Sequence, residues 1–169
     1  MALKRRTERR ATARPENATQ RFVVFRVGEE LYGLEISGVR EIDRLRPVTR
    51  VPQSLSFVEG VVNLRGTIIP VIDLARRFGR EATAPDRSAR IVIAALNGQL
   101  VGLVVSAVTE VLPIATAAIG PPPALTFEPQ ARFVAGMARH QEELITILSL
   151  ERLLSSEELA QLQQQQSLF

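Results

Sequence analysis

The sequence predicts a mostly β fold: two small barrels packed side by side, with short connecting helices and a C-terminal helix. Three observations carry this. Runs of six or seven residues rich in valine, isoleucine and leucine recur along the body of the chain. Tight turn signals join these runs in pairs, and little helical periodicity appears before the last fifteen residues. Many short strands at hairpin spacing argue for small barrels or a sandwich. The two halves also look alike, each with strand pairs followed by a short helical element, which favours two barrels.

The elements follow in order. Phe22–Val27 alternates loosely, Gly28-Glu29-Glu30 supplies a turn, and Leu31–Ile36 returns as its partner. Ser37 can cap a short helix over 38–45, because Val39, Ile42 and Leu45 fall at i, i+3 and i+6, and Pro47 ends it. Val58–Leu64 and Thr67–Ile72 flank the Arg65-Gly66 turn, both rich in residues that fit a pleated surface. Pro70 within the second run predicts an edge strand or a bulge, since proline donates no ladder hydrogen bond. Asp73 can cap a short helix over 74–78, with Gly79 as its left-handed terminator. Arg90–Leu96 and Gln99–Val105 meet at Asn97-Gly98, the strongest short hairpin signal. Ala107–Leu112 reads as extended or weakly helical. Phe133–Arg139 and Leu144–Leu148 form a last hairpin around a turn at 140–142, where His140 is expected to be exposed. Ser155-x-x-Glu158 is a capping box opening the final helix, which is expected to fray over Gln163–Gln166.

Composition narrows the chemistry. A chain of 169 residues, 46% of them hydrophobic, can bury a core without metals or disulfides. With no cysteine, disulfides, thiolate metal sites and cysteine nucleophiles are excluded, and the single histidine, His140, makes a multi-histidine metal site impossible. The net charge of +3 and a pI near 10.4 suggest nucleic acid at first sight. Partition changes that reading. Residues 1–21 hold seven bases and two acids, whereas the remaining 148 residues hold 14 bases and 16 acids. The basic character belongs to an arm.

That arm, residues 1–21, has few large apolar side chains and is expected to be disordered, a solvated tail or a weak contact for an anionic surface. No apolar h-region follows its arginines, so no secretory signal is read, and the cytoplasm is the expected address. Residues 79–89 (GREATAPDRSA) are read as a linker between two lobes, and the four prolines of 119–130 as a stiff surface loop. The folded domain is expected over 22–160, with a frayed glutamine-rich tail over 161–169.

No catalytic apparatus is visible. The chain has neither a G-x-x-x-x-G-K-[ST] loop nor a G-x-G-x-x-G turn, and Glu59 and Asp73 have no partner at a telling spacing. The segment above background is 60–79, GVVNLRGTIIPVIDLARRFG. It places Arg65 at the apex of a hairpin, with Gly66 free to take a positive φ and Asn63 able to bond its own backbone. An ordinary solvated arginine on an ordinary turn is the alternative.

This segment resembles the signature of CheW-type chemotaxis coupling proteins: a glycine, then N-L-R-G, then I-I-P-V-I-D-L-x-x-x-F. Phe22-Val23-Val24-Phe25, Tyr32-Gly33-Leu34 and Val39-Arg40-Glu41-Ile42 resemble the family's opening run. Gly102–Val105 with Val108, Glu110-Val111-Leu112 and the closing 145–151 (ITILSLE) resemble its second half. The resemblance implies two SH3-like five-stranded barrels sharing an apolar seam. It also implies a non-enzymatic adaptor without cofactors, binding the regulatory domain of a CheA-type histidine kinase and the cytoplasmic tip of a methyl-accepting chemoreceptor. Carried over by motif, the partner-contact residues are Val39, Glu41, Gly60, Asn63, Arg65 and Val111.

Two positions depart from the family pattern. Ser106 stands where relatives often have aspartate, and the 120–125 loop lacks the arginine and phenylalanine that some relatives use against a second kinase domain. The competing reading is a small-barrel nucleic-acid-binding protein using the arm for phosphates. That reading needs exposed aromatics as stacking platforms. A CheV-type adaptor is not supported, because no phosphate-receiving domain follows.

Overall fold

The computed structural model describes residues 18–122 and 129–168, so most of the arm and the centre of the 119–130 loop lie outside it. Ten strands form two five-stranded sheets. β1 (Thr19–Val27), β2 (Glu30–Glu35), β8 (Ala107–Ala115), β9 (Val134–His140) and β10 (Glu143–Leu148) lie in the order β8-β1-β2-β10-β9. We call this the terminal lobe, since both ends of the chain build it. The central lobe has β3 (Val39–Arg44), β4 (Val58–Leu64), β5 (Thr67–Asp73), β6 (Arg90–Leu96) and β7 (Gln99–Val105), in the order β3-β6-β7-β5-β4. α1 (Leu74–Arg77) follows β5, and α2 (Ser156–Gln166) ends the described chain.

Each sheet closes on itself in the same way. In the central lobe Thr49, just after edge strand β3, exchanges backbone hydrogen bonds with Val61 of the opposite edge strand β4. In the terminal lobe Gly120, after β8, does the same with Met137 of β9. Closure removes exposed sheet edges and makes two small barrels.

The strand alternation fills three apolar regions. Phe22, Val24, Leu112, Ile114 and Ile145 pack inside the terminal barrel, and Val62, Ile69, Val71, Ile91 and Ile93 inside the central one. Between them lies the shared seam, where Phe25, Tyr32 and Leu34 of one lobe meet Ile72, Leu74, Phe78 and Leu103 of the other. The rings of Phe25, Tyr32, Phe78 and Phe133 succeed one another across it at centroid separations of 5.1 to 6.2 Å. Leu159 and Leu162 of α2 cover the seam.

Polar ties join the lobes as well. Arg77 of α1, with only 7% of its side chain exposed, forms a bidentate pair with Glu158 (3.0 and 2.7 Å) and donates to the Leu153 carbonyl. Its guanidinium lies 4.2 Å from the Phe57 ring centroid and 4.8 Å from that of Phe133, a cation held between two aromatic faces. Burial pulls the Arg77 guanidinium below its ordinary pKa against the opposing charge of Glu158. Elsewhere Tyr32 donates to Glu30, and Arg80 reaches across from the central lobe to both. Burial, with that Glu30 bond, pushes the Tyr32 hydroxyl up to about 12.

Several expectations need correction. Residues 38–45 are not a helix: a single 3₁₀ turn over Ile36–Gly38 leads into strand β3, whose exposure alternates residue by residue. Apolar residues three apart fitted a helix, but pairing with β6 decides. Ala107–Leu112 is wholly strand, continuing to Ala115. Residues 79–89 are not the lobe boundary, because they join α1 to β6 within the central lobe. The chain crosses between lobes at Ile36–Gly38 and at Ser106. Ser106 fills its position with its own bonds, its hydroxyl accepting from the Gly28 amide (2.9 Å).

β1 begins at Thr19, so residues 19–21 belong to the sheet and not to the arm. α2 holds through Gln166 instead of fraying from Gln163, and the Gln166 side-chain amide donates to the Ile68 carbonyl of β5. Pro70 lies in an internal strand, one residue before the parallel pairing of β5 with β7 starts at Val71, where no ladder partner is lost. His140 is the last residue of β9 and half-buried; Gln141 and Glu142 make the turn.

Candidate partner-docking site

The β4–β5 hairpin turns on Arg65 and Gly66, both with positive φ (53° and 87°), the geometry of a two-residue hairpin with native twist. Asn63 fixes it: its side-chain carbonyl accepts from the Gly66 amide at 2.8 Å. The turn projects Arg65 outward with 75% of its side chain exposed. From there the guanidinium reaches Glu41 of β3 in a two-pronged contact of 3.2 and 2.6 Å. Three of the residues singled out in the sequence, Glu41, Asn63 and Arg65, are therefore one cluster, spanning the two edges of the central barrel.

A second ion pair lies beside it. Arg46 donates twice to Asp43 (2.9 and 2.5 Å). Partial burial opposes ionisation of Asp43, but the bonds from Arg46 and from the Arg44 amide, with the charges of Arg46 and Arg65, hold its carboxyl below the ordinary value. The face thus presents two acids and two arginines in fixed geometry. Ile42, between Glu41 and Asp43 in β3, is 39% exposed. Sequence reasoning missed Ile42 as a surface residue. A period-two reading of residues 39–44 is the signal that would have found it.

The other singled-out residues lie apart. Val39 is half-buried against the seam. Gly60 is buried, at φ 147°, and a Cβ there would lie 2.0 Å from the Thr49 carbonyl oxygen. Its lack of a side chain lets the Thr49 backbone approach β4, so that the barrel closes. Val111 lies on β8 of the terminal lobe, 39% exposed.

Two residues considered for chemistry are accounted for structurally. The buried carboxylate of Asp73 caps α1 at the Ala75 amide and accepts from both the amide and the hydroxyl of Thr83. Glu59 pairs with Arg76 at 2.9 Å. Among the described residues no cluster of three or more His, Asp or Glu side chains could hold a metal ion.

A model of the CheW-like domain matches residues 21–158. The chain is 34% identical to the chemotaxis protein CheW of Klebsiella aerogenes over 86% of its own length and 87% of that protein's. It is 32% identical to the protein FrzA of Myxococcus xanthus over 86% and 90% of the two chains. Among solved structures, the scaffolding protein TtCheW from Thermoanaerobacter tengcongensis superposes with a TM-score of 0.76 at 41% identity, covering 83% of this chain and 96% of that one. With the barrels, the seam and the N-L-R-G hairpin in place, the chain belongs to the CheW-like family of chemotaxis scaffold proteins, which are not enzymes.

Proposed function

We propose that this protein is the adaptor that couples methyl-accepting chemoreceptors to a CheA-type histidine kinase in the cytoplasm. The observation that carries the reading is the Glu41–Arg65 cluster, an exposed arginine held in fixed geometry at the tip of a hairpin. A guanidinium so placed can offer its remaining donors to partner carbonyls or carboxylates, while its stem packs on apolar surface. Val111 and Leu144, 39% and 54% exposed, supply apolar surface on the other lobe. Two separate faces suit bivalent bridging, in which each moderate interface raises the effective concentration of the other partner. Signalling is then a bias on the kinase's conformational equilibrium, transmitted by contact.

The nucleic-acid reading loses ground in the body of the protein. All six described aromatics, Phe22, Phe25, Tyr32, Phe57, Phe78 and Phe133, are buried, so no stacking platform faces solvent there. No described helix is long and apolar enough to cross a membrane.

Co-purification from the native cell tests the proposal. Tagged protein should retain a histidine kinase and a chemoreceptor, and Arg65→Glu should reduce recovery of at least one by about ten-fold, ~1.4 kcal/mol. Unchanged recovery of both with Arg65→Glu would remove Arg65 from the interface.

A further inference from the structure

A cleft of about 720 Å³ opens on the central lobe, between the end of β3 and the segment that leads into β6. Four arginines line it, Arg44 and Arg46 from one side and Arg87 and Arg90 from the other, against one acid, Asp86. Residues 22–169 carry 16 acids against 14 bases, so this concentration of positive charge is local. Arg44 and Arg90 are direct register partners across the β3–β6 ladder, a like-charge pairing that ordinarily weakens a sheet. Among the described residues no carboxylate forms an ion pair with Arg44, Arg87 or Arg90. Arg90 donates through one nitrogen to the Arg87 and Ala89 carbonyls (2.7 and 2.8 Å), and its other nitrogens stay available. Asp86 is engaged locally, its carboxylate accepting from the Ser88 and Ala89 amides at 2.9 and 3.2 Å.

The other lobe shows that the barrel does not need these arginines. Ile42↔Val92 and Arg44↔Arg90 in the central sheet correspond to Val111↔Val23 and Pro113↔Arg21 in the terminal one. Pro113 therefore stands at the place of Arg44, and Ala115 at that of Arg46. Both barrels close, so Arg44 and Arg46 are additions to the fold. The loop that brings Arg87 is pinned from behind, where the Thr83 amide and hydroxyl donate to buried Asp73.

We propose that this cleft is a binding site for a condensed phosphate, a chain of two or more phosphoryl groups, free or carried by a soluble molecule. Guanidinium forks match phosphate oxygens in pairs, and a cleft lined by one sign of charge concentrates the opposite sign. The forks approach from two sides, so a ligand with closely spaced oxygens in every direction meets several at once. An extended acidic peptide fits less well, because it turns successive carboxylates to opposite faces. The lining has no aromatic side chain, so a nucleobase attached to the phosphates gains nothing by stacking. A bound phosphate also neutralises the Arg44–Arg90 repulsion, so that binding stabilises the sheet.

Titration of the ¹⁵N-labelled full chain with tripolyphosphate, followed by NMR, tests the site directly and without reference to partner docking. In ~50 mM salt the amides of 44–46 and 86–90 should shift together and saturate, with half-saturation below about 1 mM. Inorganic phosphate should bind at least about ten-fold more weakly, and ATP about as well as tripolyphosphate. Arg44→Gln with Arg87→Gln should weaken tripolyphosphate at least about ten-fold, with circular dichroism unchanged. Tripolyphosphate should raise the thermal midpoint of the native chain and leave that of the double variant nearly still. Unchanged affinity in the double variant, or shifts confined to the arginines of residues 4–14, would overturn the proposal. Equal affinity for sulfate and tripolyphosphate would overturn it as well, reducing the effect to general screening. Tighter binding of a hexaglutamate peptide, or binding to anionic vesicles without binding to soluble tripolyphosphate, would give the cleft to a different partner and end the proposal.

Discussion

The two lobes are two versions of one design, and their differences separate what the barrel needs from what is added to it. Val58-Glu59-Gly60 of β4 and Val134-Ala135-Gly136 of β9 occupy the same place, and the next residue in each, Val61 or Met137, makes the closing bridge. Gly102 and Gly33 lie in the strands that pair in parallel with β5 and β10, where a Cβ would press on Ile91 or Ile147 side chains. Ser37–Ile42 (SGVREI) and Ser106–Val111 (SAVTEV) lead into edge strands with a register shift near the same point. Glu41 thus matches Glu110, and Ile42 matches Val111. At the hairpins the correspondence breaks: Arg65-Gly66 in the central lobe, Gln141-Glu142 in the terminal one. An uncharged glutamine at Arg65's place cannot pair with Glu110, yet the terminal barrel closes. Features present in both lobes are therefore requirements of the fold, and the Arg65–Glu41 pair is an addition to it.

The largest expected effects lie at the shared features. Gly60→Ala should cost about 3 kcal/mol or more, since the new Cβ meets a backbone oxygen at 2.0 Å and the φ of 147° disfavours a side chain. Gly136→Ala, with 2.8 Å to the Gly120 oxygen and no positive φ, should cost about 1–2 kcal/mol. Urea denaturation of the two variants ranks them. A reversed order would mean that the two closures are not equivalent.

Next comes the tie between lobes. Arg77→Ala strands Glu158 and empties the space between two rings, and should cost about 3 kcal/mol in the same assay. The pH dependence has a defined sign. Partial burial opposes ionisation of Glu158, but the Ser155 amide and Arg77 together hold its carboxyl below 4.5. A carboxyl depressed on folding stabilises fully above its unfolded value, and that stability is lost as pH falls through the folded one. Thermal midpoints should therefore drop below about pH 4.5 in the native chain. The drop should be shallower in Glu158→Gln.

A smaller and opposite effect is expected at the terminal hairpin. Glu142 has φ 67° where the central lobe has Gly66, so Glu142→Gly should stabilise by about 0.5–1 kcal/mol. A loss of stability would show that the Glu142 side chain makes a contact worth more than its backbone strain.

How much of this could be read from the residues alone follows a physical division. Local signals were legible. Asn97-Gly98 places β6 and β7 with the observed ends, Asp73 caps α1, and the Ser155–Glu158 box opens α2. Non-local pairings were not. Nothing in β2 announces its parallel partner β10, more than a hundred residues on, so the lobes were read as successive halves when the chain in fact leaves one and returns. β3 failed because Val39, Ile42 and Leu45 satisfy a helical spacing, and only the β6 ladder reveals the alternation. Glu41 and Arg65 were each singled out, but their pairing across 24 residues came from the barrel closing. Gly60 drew notice as part of a motif, and its reason is a backbone oxygen contributed by Thr49.

The smallest expected change in stability accompanies the largest expected change in binding, and that contrast tests the central claim. Arg65→Gln gives the central hairpin the residue that its terminal counterpart already carries. An exposed ion pair contributes about 0.2–1 kcal/mol, so the urea midpoint should move by no more than that. Recovery of kinase or chemoreceptor should fall by about ten-fold in the same preparation. Loss of more than about 2 kcal/mol with binding retained per folded molecule would contradict the account, and would make Arg65 a part of the fold.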